Sequence, residues 1–125
     1  MSDTYPTVKV AAVQAASVFL DREASTAKAC ELIKEAGSKD ARIIVLPESF
    51  IPGHPVWFHL HPATSELSVK LSIDLFKNAV EVPNSKTVDD LCNAARTAGR
   101  LLACAPEMSR FERCKRMHKI LEDAS

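Results

Sequence analysis

Apolar positions recur along this chain in two alternating rhythms. From Val8 to Ala16 the residues are mostly apolar after Lys9, with Val8, Val10 and Ala12 on one face and Lys9, Ala11 and Val13 on the other. That pattern predicts a strand covered on both sides. Asp21 is placed as an N-cap, and Ala29, Leu32, Ile33 and Ala36 follow at helical spacing. Gly37 is placed to end that helix in a left-handed conformation. Ala41 to Leu46, rich in β-branched residues, predicts a second strand. Strand, helix and strand in this order make a βαβ unit, with parallel strands and a right-handed crossover.

The rhythm then breaks. Pro47 to Pro62 holds Pro47, Pro52, Pro55 and Pro62 with Gly53 and the aromatics Phe50, Trp57 and Phe58. Prolines fix φ, so this is a structured loop. Glu66 to Val80 returns to helical spacing, with Val69, Ile73, Phe76 and Val80 on one face, and Pro83 ends it. Thr87 and Asp90 have the spacing of a capping box. Leu91, Ala94, Ala95 and Ala98 form the next stripe, and Gly99 fits its C-terminal cap. Leu101 to Ala105 predicts a third parallel strand, cut short by Pro106. From Met108 to Glu122 the chain is dense in charge, which reads as a solvated, partly helical tail.

Composition narrows the function. The 125 residues fit one compact domain, and 16 Lys plus Arg balance 16 Asp plus Glu. That balance argues against a nucleic-acid or anionic-membrane binder. Cys30, Cys92, Cys104 and Cys114 form no Cys-x-x-Cys pair, so a structural zinc site has little support. No leader and no apolar run of spanning length are present, and the expected location is the reducing cytoplasm, with free thiols.

The chemistry concentrates at the end of the second strand. Open α/β sheets bind ligands outside the carboxyl ends of their strands. Glu48 follows Leu46 and Pro47 at such an end. Partial desolvation by Phe50 and Trp57 would raise its basicity toward that of a general base. A lone glutamate after a strand is more often a solvated loop residue, so its context decides. His59-Leu60-His61 has the spacing of a metal-binding pair, but no further ligand completes a site. The histidines read instead as lining a loop.

Leu46-Pro47-Glu48-Ser49-Phe50-Ile51-Pro52-Gly53-His54-Pro55 resembles the first catalytic signature of the nitrilase branch of the carbon–nitrogen hydrolase superfamily. Val8-Lys9-Val10-Ala11-Ala12-Val13-Gln14-Ala15 resembles that family's first strand, and Val56 to Ser65 is similar to nitrilases of aryl and arylaliphatic nitriles. The resemblance implies an α/β fold, the N-terminal part of an αββα sandwich, in subunits that pair and often extend into spirals. It implies a catalytic Glu, Lys and Cys. The Cys thiolate attacks the nitrile carbon to form a thioimidate, and water releases ammonia and a carboxylic acid. Glu48 matches the general base. No cofactor or metal is implied. Trp57 and His59 are expected to shape the entrance for an aromatic nitrile. Expected partners are the nitrile and like subunits, forming a homo-oligomer or an association with similar chains.

The family's Lys and Cys lie in later motifs, and its Cys-Trp-Glu sequence is absent here. Cys104, Cys114, Lys115 and Lys119 lack the matching context. Residues 1–100 are therefore expected to form the first part of the hydrolase domain and residues 101–125 a divergent tail, as from a frameshift or unusual splice. Two further expectations follow: little turnover by these residues alone, and a sheet face left without cover. A sister nitrile hydratase or amidase activity, a non-catalytic fragment that binds nitrilase-type subunits, and a metallohydrolase on His59 and His61 are the competing readings.

Overall fold

The computed structural model describes residues 5–104. Its elements are β1 (Val10–Ala12), α1 (Arg22–Ser38), β2 (Ile43–Leu46), the 3-10 turn Val56–His59, α2 (Glu66–Lys77), α3 (Lys86–Thr97) and β3 (Leu101–Cys104). The tail beyond Cys104, where a partly helical segment is expected, lies outside the described residues.

The three strands form one parallel sheet in the order β1-β2-β3. Val10 pairs with Ile43 and Ile43 with Leu101, so residues at matched positions share a face. Hydrogen bonds from Arg42 N to Lys9 O (2.8 Å) and from Val13 N to Val45 O (2.9 Å) extend the β1–β2 pairing at both ends. β1 is nonetheless much shorter than the expected Val8–Ala16.

One face of this sheet carries the core. Ile44 and Ile33 are fully buried with Ala36, Ala41, Ala94 and Ala95, and Ala11, Val13, Leu91 and Leu102 pack against them. Both α1 and α3 therefore lie on this side and pack on each other. The opposite face is Val10, Ala12, Ile43 and Val45. Val10 is 54% exposed, and the other three are exposed or half-buried. The two-sided cover expected for β1 is thus missing among the described residues. The uncovered inner face, also expected, is present.

Asp21 caps α1 as expected, its Oδ1 accepting from Ala24 N at 2.9 Å. Gly37 does not end the helix. It is buried within α1, where an added Cβ would lie 2.9 Å from Ala98 Cβ. The left-handed residue is Asp40 (φ 63°), two positions past the helix end. Arg100 closes this corner, donating to Gly37 O at 3.2 Å with its guanidinium 3.6 Å from the Asp40 carboxylate.

α3 is capped by Ser85, whose Oγ accepts from Val88 N, rather than by Thr87. Thr87 is buried and takes a hydrogen bond from Thr26 of α1 at 3.3 Å. Gly99 has φ 62°, as expected for the residue that turns α3 into β3. α2 ends at Lys77, earlier than Val80, because Asn78 caps it and also accepts from Arg22 N. Its stripe faces outward: Val69, Ile73 and Phe76 are all exposed, and Ser68 is its buried residue.

Candidate active site

β2 delivers the chain into the site. Leu46 is buried at the strand end, Pro47 is half-buried, Glu48 and Ser49 are exposed, and Phe50 is buried again. Phe50 packs in one cluster with Ala29 and Leu46, with Ile51, Val13 and Leu32 around them. Ser49 takes a left-handed φ of 52°. Glu48 therefore stands on a short arch with a buried apolar anchor on either side.

The Glu48 carboxylate has no hydrogen-bond or ion-pair partner among the described residues, and it is open to solvent. The desolvation expected from Phe50 and Trp57 is not provided. Phe50 packs against Ala29 and Leu46 and Trp57 against Phe19 and Phe58, while Glu48 stays exposed.

The loop that follows is docked on the connection between β1 and α1. Leu20 N donates to Pro52 O at 3.0 Å. Gly53, buried with φ 131°, leaves room for Ser17: an added Cβ would lie 3.1 Å from the Ser17 Oγ. Phe19 meets Trp57 edge-on at 5.9 Å, and Trp57 is in turn tilted against Phe58 at 5.5 Å. Trp57 is only 3% exposed, and its Nε1 has no acceptor among the described residues. The indole is thus a core of the loop rather than an open platform.

His59 lies on the same 3-10 turn but is exposed, its ring stacked on His54 at 6.5 Å and 13°. No hydrogen bond links Glu48 to Trp57 or His59. Among the described residues, no three His, Cys, Asp or Glu side chains are grouped to hold a metal ion. Cys104 is the last residue of β3, beside Leu46 in the register. Cys114, Lys115 and Lys119 lie outside the described residues.

A groove of about 800 Å³ runs between α1 and α3, lined by Arg22, Cys30, Lys86 and Asp90 among others, and Glu48 is not part of it. No helix among the described residues is long and apolar enough to cross a membrane.

The neighbours that the sequence did not flag are Ser17, Phe19, Leu20 and Ser25. Phe19 and Leu20 directly precede the N-cap Asp21, where helical and strand periodicity are both silent. An apolar pair at such a position is the available signal that the connection packs on something.

Residues 9–117 match the carbon–nitrogen hydrolase family model. The match runs past Arg100, into the segment set apart as divergent. A nitrilase of Bacillus sp. (strain OxB-1) is 45% identical over 80 residues, covering 64% of this chain and 23% of that protein. An arylacetonitrilase of Aspergillus niger is 30% identical over 114 residues, covering 91% of this chain and 27% of that protein. A protein named nitrilase 2, from an unknown prokaryotic organism, is 40% identical over 92 residues, 74% of this chain and 28% of its own length. The chain thus spans about a quarter of the length of these relatives. A parallel α/β sheet with an acid beyond its middle strand, together with these matches, places the chain in the carbon–nitrogen hydrolase family, on its nitrilase branch, as an N-terminal portion of that fold.

Proposed function

We propose that this chain contributes part of a nitrilase-type active site, with Glu48 as the general base for hydrolysis of a nitrile to a carboxylic acid and ammonia. The observation that carries this reading is the placement of Glu48. Only Pro47 separates it from the carboxyl end of β2, in a chain of the nitrilase branch.

A carboxylate at this edge is suited to take the proton of an incoming thiol. The sulfur then attacks the nitrile carbon, a C–S bond replaces one C–N π bond, and the nitrogen gains a proton to give a thioimidate. A lysine ammonium offsets charge on the tetrahedral species, and water releases ammonia and the acid. The thiol and the ammonium come from residues other than those described. The single tryptophan of the sequence, Trp57, follows Val56, so no Cys-Trp-Glu is present. These residues alone are proposed not to turn over. Glu48 gains the desolvation a base needs when further chain and substrate cover it.

The names of the relatives favour an arylacetonitrile as the substrate class. Trp57 and His59 then flank its entrance, Trp57 by holding the loop and His59 by facing outward. The family match through residue 117 and the pairing of β3 with β2 carry the hydrolase portion past residue 100 in this reading, so a divergent tail is shorter than residues 101–125.

A hybrid tests the proposal: the Bacillus nitrilase with its 80 matched residues replaced by those of this chain. Ammonia release from phenylacetonitrile by the hybrid, unaffected by a chelator, and none by the 125-residue chain alone, is the expected result. A folded hybrid without ammonia release counts against it. Activity lost to the chelator and restored by zinc would favour the pair His59 and His61.

The uncovered sheet face favours a second reading, a non-catalytic module that associates with nitrilase-type subunits. Co-purification with the intact Bacillus nitrilase, without any activity in the hybrid, would support it.

A further inference from the structure

Among the described residues Glu48 has no hydrogen-bond or ion-pair partner, so what fixes it there is the backbone between Leu46 and Gly53. The strand holds one end of that stretch. The other end is held by the connection between β1 and α1, through the Leu20–Pro52 hydrogen bond, the Phe19–Trp57 ring pair and the close approach of Gly53 to Ser17. What fixes the connection itself is a buried serine. Ser25, in the first turns of α1, is completely buried. Its Oγ accepts from Val18 N at 3.0 Å and donates to Val18 O at 2.8 Å. One hydroxyl thus clasps both backbone groups of a single residue. Val18 O also accepts from Asp21 N at 3.1 Å. The residues that dock the Glu48 loop, Phe19 and Leu20, immediately follow the clasped one. Leu20 is held at φ 53°, a conformation a leucine adopts only when its surroundings impose it.

We propose that Ser25 is a positioning residue for Glu48, acting through the clasp on Val18 and the docked pair Phe19 and Leu20. This rests on the reading of Glu48 as the general base. Ser25→Ala removes both hydrogen bonds, taking the partner from Val18 N and leaving Val18 O only its bond from Asp21 N. The connection then loosens, and the far anchor of the Glu48 arch loosens with it. Thr26→Ala is the control. Thr26 is also buried in α1, but its hydroxyl bonds to Arg22 O and Thr87, not to the connection.

The test uses the whole 125-residue chain and two spectroscopic signals. Trp57 is its single tryptophan, so intrinsic fluorescence reports the docked loop directly. Backbone amide resonances of Glu48 and Ser49 report the arch. In Ser25→Ala the Trp57 emission shifts to longer wavelength, its quenching by acrylamide rises, and the Glu48 and Ser49 amides move. In Thr26→Ala, compared at equal loss of thermal stability, all of these stay in place. Equal effects in the two variants, or silent Glu48 and Ser49 amides in Ser25→Ala, overturn the proposal. Should Ser25→Ala fail to fold, Phe19→Leu carries the test, because Phe19 is half exposed and loses only its ring contact. The Glu48 and Ser49 amides must then move, and their silence overturns the proposal.

In the hybrid enzyme, Ser25→Ala lowers kcat by about 10²-fold with little change in KM, the size expected when a catalytic group is misplaced by about 1 Å. If Glu48 is not the base, its removal leaves the hybrid active while the spectroscopic coupling persists. If the clasp is not the cause, the signals stay silent while Glu48 remains essential. The two failures are therefore distinct.

Discussion

Cys30 and Cys92 are both free thiols, and their surroundings separate them. Cys30 is half-buried on α1 beside the groove, and Cys92 is exposed on α3. Burial pushes the Cys30 thiol pKa above its ordinary value, and the nearby Asp90 carboxylate raises it further. The thiolate is the reactive form. Iodoacetamide at pH 8 should therefore modify Cys92 well before Cys30, read by peptide mass mapping. The folded Cys30 holds its proton more tightly than the unfolded chain does. Its contribution to stability is complete below the unfolded thiol value of about 8.5 and is lost as pH rises through the folded value. Equal alkylation of the two cysteines would contradict this placement. At the same scale, Glu48 was legible from sequence as an acid at a strand end. Its exposure was not, because the packing of Phe50 and Trp57 depends on partners such as Ala29 and Phe19, far away along the chain.

The packing of α1 on α3 turns on Gly37. A methyl group there would meet Ala98 Cβ at 2.9 Å, with Ala98 Cα behind it at 3.9 Å. Overpacking of this kind costs about 1–3 kcal/mol, against a helix-propensity gain of about 1 kcal/mol from alanine. Gly37→Ala should be destabilising by about 1 kcal/mol net in urea unfolding, and a more stable variant would show that the helices part without cost. Sequence alone offers two reasons for a glycine near a helix end, a left-handed turn or a close neighbour. Only the position of Ala98 decides between them. The same holds for Ser85 and Thr87: both can cap a helix, and it is the hydrogen bond from Thr26 that shows Thr87 turned inward. Among the described residues, periodicity found the three α-helices and the three parallel strands, since it records which residues share a face. For α2 it could not tell what covers that face, and Val69, Ile73 and Phe76 are open.

At the scale of the whole molecule, among the described residues, β1 and β2 pack on one side of the sheet and leave Val10 and Ala12 open on the other. Ile33, Ile44 and Leu46 are fully buried on the helical side, while Val10 is half exposed on the other. Apolar surface of this kind, joined by the open stripe of α2, calls for a covering partner. The 125-residue chain should bind a hydrophobic dye such as ANS and self-associate as concentration rises. Val10→Lys on the open face should weaken both effects without lowering thermal stability, because Val10 contributes little to the core. A dye-silent monomer with one sharp, concentration-independent thermal transition would contradict the open face.

Glu48 as general base is the claim on which the functional reading stands, and one substitution in the hybrid nitrilase addresses it most directly. Glu48→Gln keeps the size and shape of the side chain and removes its basicity. Steady-state ammonia release from phenylacetonitrile should fall by about 10²–10⁴-fold in kcat, with the circular dichroism of the hybrid and the Trp57 fluorescence of the 125-residue chain unchanged. A Glu48→Gln hybrid that releases ammonia at the parent rate would contradict the account.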